Sequence, residues 1–478
     1  MSIKHPEAIA IIGGGFSGVM TGVNLARLSQ RPLQITLINQ HCPLGRGLAY
    51  GTRRPEHLLN VAARNMSAFP DLPDHFLQWL RTRSEYENLP DPELAGRFIP
   101  RLVYGDYLRG LMHQYLMSPD KPAMEQPQLM EAEAVDVEPE RHHVNVKLAD
   151  GRKVRAEKVV LATGHEAPAG FPGSAELHDH PAWIGNPWQA WTDQLPAAGG
   201  TVVLLGAGLT TVDAIITLRA LGWTGQVEVV SRNGWLPNSH FRGIENPEFP
   251  PPDVNLAALG LKELVALVES HCARLRGAGA NPAIVVDRLR PHTQRIWKNF
   301  TTEDKRAFVR EHSARWNVLR HRIAPEIHAQ VTAAQASGQL QVHAAGIERV
   351  GAEGNQVRVH LKNGETLTGD LVINATGPQT RFSNTNSVLM KNLIKRGLVA
   401  VDDMEMGIRA DEDHRVIARD GQCSDFLLAI GPLLRGTLWE TIAVPELRGQ
   451  ARRVAETILE HTPLFETMLP EVVMEYSI

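Results

Sequence analysis

One local pattern occurs twice in this sequence: a short apolar strand, a glycine-rich turn and a helix. In the first copy, the apolar run at residues 9–12 continues into the turn Gly13-Gly14-Gly15-Phe16-Ser17-Gly18. Glycine at 13 allows a tight turn, Gly15 lets backbone amides approach a pyrophosphate, and Gly18 lets the helix pack close to the strand. Because the N-terminus of such a helix attracts phosphate, this copy predicts a dinucleotide-binding unit that includes Ser17.

The second copy begins with the apolar run at residues 201–205. It continues into the turn Gly206-Ala207-Gly208-Leu209-Thr210-Thr211. In both copies the next strand ends 21 residues after the last turn position, at Asn39 in the first and at Arg232 in the second. This agrees with the spacing of about 20 residues between such a turn and the residue that contacts the ribose. The residues predicted to contact this second nucleotide are Gly206, Gly208, Thr210 and Thr211.

The two copies also end alike, with a hairpin followed by an apolar strand that finishes in Ala-Thr-Gly. The hairpin turns are Asp150-Gly151 and Asn363-Gly364, dipeptides typical of two-residue turns. The final glycines, Gly164 and Gly377, each lie 13 residues after the turn glycine. Two domains of this kind predict two different nucleotides, held so that one reduces the other by hydride transfer.

Composition limits the class of protein. A chain of 478 residues is too long for one compact domain, and a formal net charge of −4 gives no general reason to bind nucleic acid or an anionic membrane. The first apolar run is too short for a secretory signal, and residues 201–218 are interrupted by two glycines and an aspartate. We therefore expect a cytoplasmic protein without nucleic-acid or membrane partners; a homo-oligomer stays open.

The cysteines restrict the redox chemistry. Cys42, Cys272 and Cys423 are far apart in the sequence, so they form neither a disulfide framework nor a Cys-x-x-Cys pair. This argues against a disulfide reductase that passes electrons through such a pair. The sequence has no His-Glu-x-x-His motif and no Cys/His spacing typical of a metal site, so no metal is predicted.

Seven short motifs are spread over nearly the whole chain: Gly47-Leu48-Ala49-Tyr50, His57-Leu58-Leu59-Asn60-Val61, Arg101-Leu102-Val103-Tyr104-Gly105, Asn186-Pro187-Trp188, Ser231-Arg232-Asn233-Gly234, Leu319-Arg320-His321-Arg322 and Ala443-Val444-Pro445-Glu446-Leu447-Arg448. With the Ala-Thr-Gly strands, they resemble the glutathione-reductase-like superfamily of FAD and NAD(P)H enzymes. Within it, the chain is similar to the bacterial FAD/NAD(P)-binding protein family, which is related to class B flavin monooxygenases and amine-hydroxylating monooxygenases. The resemblance implies FAD in the first site and NAD(P)H in the second.

The repeat and the resemblance together predict an α/β fold with two Rossmann-type domains, the NAD(P)H domain being inserted in the FAD domain. The predicted boundaries are 1–195 for the first part of the FAD domain, 196–377 for the NAD(P)H domain and 378–478 for the second part of the FAD domain. A proline-rich entrance followed by helical patterns predicts a helical substrate or lid insertion at 241–328.

The ends of the second strands indicate which nucleotide each site prefers. Asn39 stands where such folds usually place an acidic residue, and its carbonyl can accept one ribose hydrogen bond; the alternative is a turn residue. Ser231 and Arg232 occupy the equivalent place in the second copy. A guanidinium favours the additional phosphate of NADPH, although a solvent-facing arginine also fits. NADPH is the predicted donor.

The resemblance implies further contacts to FAD. Arg46 is predicted near the pyrophosphate and Asn60, as a candidate catalytic residue, near the isoalloxazine, with loop bracing as the alternative for Asn60. Towards the C-terminus, Pro432 replaces the aspartate that relatives use against the ribityl chain. Backbone amides of this segment remain to stabilise negative charge on reduced flavin. The predicted contacts are Gly431, Gly436 and Thr437.

His240 and His321 are the candidate acid or base residues, because imidazole titrates near working pH. His321 belongs to a charged cluster in the predicted insertion. This cluster could bind a carboxylate or the nicotinamide side of NADPH, or it could be a solvated helix face. Its members are Arg315, Trp316, Arg320, His321 and Arg322.

The leading hypothesis is an NADPH-dependent flavin monooxygenase that uses dioxygen and a flavin hydroperoxide to oxygenate a small molecule, at an amine or another heteroatom. The Baeyer–Villiger fingerprint is absent, since Gly164-His165-Glu166-Ala167-Pro168 is only a fragment of it. Two alternatives stay open: an FAD-dependent NAD(P)H reductase or dehydrogenase without oxygen insertion, and a nonenzymatic redox sensor.

Overall fold

The computed structural model describes residues 7–40, 44–117, 126–241 and 249–459. Cys42 lies outside them. The strands are β1 (Glu7–Ile12), β2 (Leu33–Asn39), β3 (Gln128–Glu131), β4 (Ala134–Pro139), β5 (Val144–Leu148), β6 (Lys153–Ala156), β7 (Lys158–Leu161), β8 (Trp183–Ile184), β9 (Thr201–Leu205), β10 (Gln226–Ser231), β11 (Leu340–Ala344), β12 (Ile347–Glu353), β13 (Gln356–Leu361), β14 (Thr366–Gly369), β15 (Leu371–Asn374), β16 (Arg415–Ile417) and β17 (Cys423–Ala429).

The helices are α1 (Phe16–Leu28), α2 (Gly47–Tyr50), α3 (His75–Arg81), α4 (Asp91–Gly96), α5 (Arg101–Tyr115), α6 (Leu209–Ala220), α7 (Leu261–Gly277), α8 (Ile284–Leu289), α9 (Thr293–Asn299), α10 (Thr302–Glu311), α11 (Ser313–Arg320), α12 (Pro325–Ala336), α13 (Val388–Arg396), α14 (Arg435–Leu438) and α15 (Val444–Leu459). No helix within the described ranges combines the length and the apolar character needed to span a membrane.

Two separate parallel sheets form the framework. The first has the order β3-β2-β1-β7-β17-β16, in which only β16 is antiparallel to its neighbour. The second has the order β11-β10-β9-β15-β8 and is parallel throughout. Each contains the predicted strand–turn–helix–strand unit, so the predicted α/β class with two Rossmann-type domains is confirmed.

Both sheets are buried on two faces because alternate side chains of a strand point to opposite sides. In β1, Ile9 and Ile11 face a core made with α1, α5 and α15, whereas Ala10 and Ile12 face a core that includes β4, β5 and α13. β9 repeats this arrangement: Val202 and Leu204 face α6 and α12, and the intervening Val203 faces β12 and β13.

An antiparallel three-stranded sheet covers one face of each parallel sheet: β4-β5-β6 in the first and β12-β13-β14 in the second. The predicted hairpin glycines, Gly151 and Gly364, have positive φ of 88° and 90°. This left-handed conformation is the one that glycine adopts at little cost, which explains the Asp-Gly and Asn-Gly dipeptides.

A group of helices lies between β10 and β11. Helices α7 to α10 pack around their own core, which also takes in Trp439 from the C-terminal part of the chain. α12 instead packs against α6, beside the second sheet. β8 joins the second sheet ahead of residue 196, while β16 and β17 return to the first sheet. The domain boundaries themselves stay a prediction.

Candidate active site

The first glycine turn follows β1 at the carboxyl edge of the first sheet. Gly13 has φ of +116°, and a Cβ there would lie 2.1 Å from the carbonyl oxygen of Ala162. A Cβ on Gly18 would lie 1.9 Å from the carbonyl oxygen of Gly13, so both positions require glycine. At Gly15, by contrast, the nearest atom is 3.6 Å from a Cβ, and α1 begins there without a side-chain cap. Its first amides are therefore available to a pyrophosphate, as FAD binding requires.

The chain returns to this turn after β17. Gly431 has φ of +80°, and a Cβ on it would lie 3.3 Å from Oγ of Ser17. Its N–H donates to Oε1 of Gln450 at 3.1 Å, and its carbonyl accepts from Oγ1 of Thr441 at 3.0 Å. Two predicted FAD contacts, Ser17 and Gly431, are thus held next to each other.

Asn39 and Arg46 surround the same turn. Oδ1 of Asn39 accepts a hydrogen bond of 3.0 Å from the N–H of Gly14, so this side chain braces the turn. Arg46 forms an ion pair with Asp106 on α5. The ribose role of Asn39 and the pyrophosphate role of Arg46 stay predictions.

The second glycine turn repeats the first at atomic level. A Cβ on Gly206 would lie 2.5 Å from the carbonyl oxygen of Ala375, just as Gly13 approaches Ala162. Gly208 has no atom within 4 Å of a Cβ position, and α6 begins there without a side-chain cap. Oγ1 of Thr211 donates to the carbonyl of Gly206 at 2.8 Å and so stabilises the turn. This leaves an open helix N-terminus for a second phosphate group. Thr210, the residue before Thr211, is partly exposed.

The end of β10 presents a free cation. Ser231 accepts a hydrogen bond of 3.0 Å from the N–H of Gly234 through its Oγ. Arg232 is exposed and, within the described parts of the chain, makes no hydrogen bond or ion pair. Its guanidinium is therefore available to a phosphate.

The two crossings between the parallel sheets are tied together. Gly164 and Gly377 have positive φ of 73° and 87°, with no atom within 4 Å of a Cβ position. Nδ2 of Asn374, at the end of β15, donates to the carbonyl of Ala169 at 2.9 Å. The segment that leaves the first Ala-Thr-Gly is therefore attached to the strand that leads into the second.

Two of the three predicted catalytic residues meet. Nε2 of His240 donates to the backbone carbonyl of Asn60 at 2.9 Å, although 180 residues separate them. Close by, Arg101 binds Asp213 on α6 through two hydrogen bonds of 2.6 and 3.1 Å. These contacts join the FAD side of the molecule to the second nucleotide domain. His321 lies two residues before Ile323, whose carbonyl accepts from the backbone N–H of His240 at 3.0 Å, and its ring lies near the arginines at the end of α11.

Buried imidazoles surround this region without adding charge. Burial, reinforced by nearby arginines, lowers the pKa of His240 to about 4 and that of His321 to about 3. Burial and Arg435 likewise lower the pKa of His165 to about 4. At neutral pH these rings are neutral, so they can donate or accept hydrogen bonds but cannot act as imidazolium acids.

The low pKa of His240 predicts a loss of stability in acid. Its folded-state pKa of about 4 lies below the ordinary histidine value of 6.5, so the unfolded chain takes up the proton first as the pH falls. The free energy of unfolding should therefore decrease from pH 6.5 towards pH 4. His240→Gln, which keeps an N–H donor, is expected to make this decrease shallower in urea denaturation. His178→Gln, whose side chain is 85% exposed, is the control; an unchanged slope in His240→Gln would contradict the assignment.

Sequence reasoning missed the residues that hold the C-terminal flavin segment. Nε1 of Trp297 on α9 donates to the carbonyl of Gly436 at 2.7 Å, and a Cβ on Gly436 would lie 2.1 Å from the carboxyl carbon of Asp402. Oγ1 of Thr437 donates to the carbonyl of Ile408 at 3.2 Å. The proposed roles of Gly436 and Thr437 towards flavin stay predictions. Neither Trp297 nor Asp402 lies in a recognisable local motif.

Most of the predicted charged cluster is used in internal pairs. Glu440 accepts from Nε1 of Trp316 at 3.1 Å and from Arg320 at 3.4 Å, and Arg322 is paired with Asp287. Arg315 instead lines an open groove of about 460 Å³ next to the loop that follows β10.

Among the described residues, no three His, Cys, Asp or Glu side chains form a group able to hold a metal ion.

The fold and the paired glycine turns define a protein with two Rossmann-type domains of the FAD/NAD(P)-binding kind. Residues 10–166, from β1 to just beyond β7, match the family model described as FAD-NAD(P)-binding. A search of curated proteins finds no match. The predicted resemblance to FAD/NAD(P)-binding proteins is thus confirmed, and with it FAD and NAD(P) as the cofactors.

Solved structures share this fold over nearly the whole chain. The reduced form of ornithine hydroxylase PvdA from Pseudomonas aeruginosa is 15% identical, with 95% of this chain and 99% of that chain covered and a TM-score of 0.63. Ornithine N-hydroxylase KtzI from Kutzneria sp. 744, with reduced FAD, NADP⁺ and L-ornithine, is also 15% identical at the same coverage, with a TM-score of 0.62. Bacillithiol disulfide reductase Bdr from Staphylococcus aureus is 12% identical, covers 96% of this chain and 99% of its own, and has a TM-score of 0.54. At these identities the likeness concerns the fold.

Proposed function

We propose that this protein is an NADPH-dependent flavoprotein monooxygenase that oxygenates a small molecule at an amine or another heteroatom. The observation that carries the proposal is the match in fold to two ornithine hydroxylases over 95% of this chain. That match includes the inserted second nucleotide domain, which brings an electron donor to the flavin side. The KtzI structure holds both nucleotides that the two glycine turns fit, FAD and NADP⁺.

Different residues of this chain hold the two nucleotides and join the two domains. The amides after Gly15 hold the FAD pyrophosphate and those after Gly208 hold the NADPH pyrophosphate. When bound, FAD supplies hydride acceptance and the activation of dioxygen. His240 fixes the carbonyl of Asn60 at the junction between the two domains. The ring of His240 is neutral at neutral pH, so it would hold that carbonyl without adding a positive charge to the junction.

The cysteines support oxygenation over disulfide reduction. Cys272 is buried in α7 and Cys423 is exposed at the start of β17. The sequence contains no Cys-x-x-Cys pair. A disulfide reductase of the dithiol type passes electrons onward through two neighbouring thiols beside the flavin.

The proposal is tested by reducing the FAD-loaded protein with NADPH in the absence of oxygen and then mixing it with dioxygen. The flavin spectrum is recorded during reoxidation. A long-lived absorbance that differs from both oxidised and reduced flavin is expected for a monooxygenase. Direct return to oxidised flavin would favour the reductase alternative, and failure of NADPH to reduce the flavin would contradict hydride transfer itself.

Arg232→Ala is expected to raise KM for NADPH by about tenfold or more and to leave KM for NADH nearly unchanged. Removal of a charged hydrogen bond to the additional phosphate costs about 1.5–3 kcal/mol, and NADH lacks that phosphate. The measurement is the initial rate of flavin reduction against each nucleotide. Arg310→Ala, an exposed arginine on α10, is the matched control. Equal effects of Arg232→Ala on both nucleotides would reject the phosphate role.

A further inference from the structure

Arg435 is a cation at the edge of the proposed flavin site that forms no ion pair with a carboxylate in the described parts of the chain. It begins α14, four residues after Gly431, which lies against Ser17 at the start of α1. Its guanidinium also acts electrostatically on His165, which follows the Ala-Thr-Gly of the first domain. Within the part of the chain that the structure describes, its side chain makes no hydrogen bond and no ion pair.

The neighbouring arginines differ from Arg435 in this respect. Their pairs are Arg290 with Glu446 at 2.7 Å, Arg320 with Glu440 at 3.4 Å, and Arg322 with Asp287. Glu440 is the carboxylate that acts on Arg435, but it is already bonded to Arg320 and to Trp316. Among the described residues, the guanidinium of Arg435 is therefore the one in this group that has no carboxylate bonded to it, and a desolvated charge of this kind favours binding of an anion.

The guanidinium also packs against an aromatic ring. It lies over the ring of Trp439 at 5.3 Å, and Trp439 is packed against Trp297 and Phe308 with ring centroids 4.8 and 5.1 Å apart. A stacked guanidinium presents its N–H groups as a planar fork, which matches the two oxygens of a carboxylate. The other titratable neighbours of Arg435, His165 and His321, are neutral rings that add no competing negative charge.

We propose that Arg435 binds a carboxylate of the substrate, so that the substrate is a small molecule carrying both the heteroatom to be oxygenated and an acidic group. This inference rests on the proposed function for the identity of the oxidised group. The carboxylate contact itself is a binding event and does not require oxygenation.

The carboxylate contact can be tested separately from oxygenation with two probes that differ only at one end. They are 5-aminopentanoate, which has a carboxylate, and pentylamine, which has a methyl group instead. Each is titrated into the FAD-loaded protein, and binding is followed by the change in the flavin absorbance spectrum and by the shift in Tm. Wild-type protein is expected to bind 5-aminopentanoate at least about tenfold more tightly than pentylamine, because a charged hydrogen-bond pair is gained.

Arg435→Gln should abolish the preference for the carboxylate probe, and Arg435→Lys, which keeps the charge but not the fork, should retain part of it. Arg310→Gln, on the exposed face of α10, should leave the preference unchanged. Equal binding of the two probes, or no binding of either, would overturn the proposal. An unchanged preference in Arg435→Gln would also overturn the proposal. If the flavin midpoint potential of that variant were lower as well, the guanidinium would stabilise the negative charge of reduced flavin instead of binding a substrate carboxylate. If the dioxygen experiment gives no long-lived intermediate spectrum but the preference still depends on Arg435, the monooxygenase assignment is wrong and the carboxylate site is retained.

Discussion

Gly18→Ala is expected to yield protein that no longer retains FAD and that is destabilised by about 3 kcal/mol or more. A Cβ at this position would lie 1.9 Å from the carbonyl oxygen of Gly13 and 3.2 Å from Cγ2 of Ile11. The clash is with backbone, so the start of α1 would have to move away from β1. α1 cannot do so freely because it packs against α5 and α15. Displacement of its first turn removes the amides from the pyrophosphate position.

The FAD content after purification and the free energy of unfolding in urea measure this effect. Gly449→Ala is the matched control, because it also places a methyl group on a helix but has no atom within 4 Å of the new Cβ. That variant should keep its FAD and gain about 0.5–1 kcal/mol of stability from the better helix former. A Gly18→Ala protein with normal FAD content would show that close helix–strand contact is not needed for binding.

Arg322→Met is expected to destabilise the protein by about 3–5 kcal/mol. The side chains of Arg322 and Asp287 are 4% and 2% exposed, and they pair with each other where the insertion helix α8 meets the end of α11. Oδ2 of Asp287 has no hydrogen-bond partner among the described residues. Removal of the guanidinium therefore leaves a buried carboxylate without its ion-pair partner.

The double variant Arg322→Met/Asp287→Leu should recover most of that loss, since two apolar side chains of similar size carry no desolvation cost. Arg310→Ala, which removes a guanidinium that is 67% exposed, should change the free energy of unfolding by no more than about 0.5 kcal/mol. Urea denaturation of the three variants provides the comparison. If Arg322→Met and Arg310→Ala cost the same, the buried pair does not stabilise the insertion.

The nucleotide turns could be predicted because their information is local. A residue that must have positive φ, or whose Cβ would meet a backbone carbonyl, has to be glycine, and Gly13, Gly18 and Gly206 are such positions. The spacing to the second strand follows from the length of one helix and two strands. The apolar residues of β1 and β9 point alternately to the two faces of their sheets. Both strands are apolar over most of their length because both faces of a parallel sheet are buried.

The charged cluster of the insertion was predicted only as a set of alternatives. A solvated helix face and a carboxylate-binding site are both compatible with the arrangement of this cluster along the sequence, which comprises Arg315, Trp316, Arg320, His321 and Arg322. The outcome depends on Glu440 and Glu446, which lie more than a hundred residues further along the chain. No local motif marks Arg435 in the sequence, because an arginine without an ion-pair partner is recognised only when its neighbours are known.

The sequence by itself determined the two glycine turns, the strands that lead into them and the hairpins that close each domain, because backbone conformation and strand burial are set by residues close together in the chain. Only the tertiary structure decided which side chains face the junction between the domains. The contact between His240 and Asn60 spans 180 residues, and the bond from Arg320 to Glu440 spans 120. Charge pairing and burial depend on distances in space, and these arise only when the inserted domain and the C-terminal segment pack together.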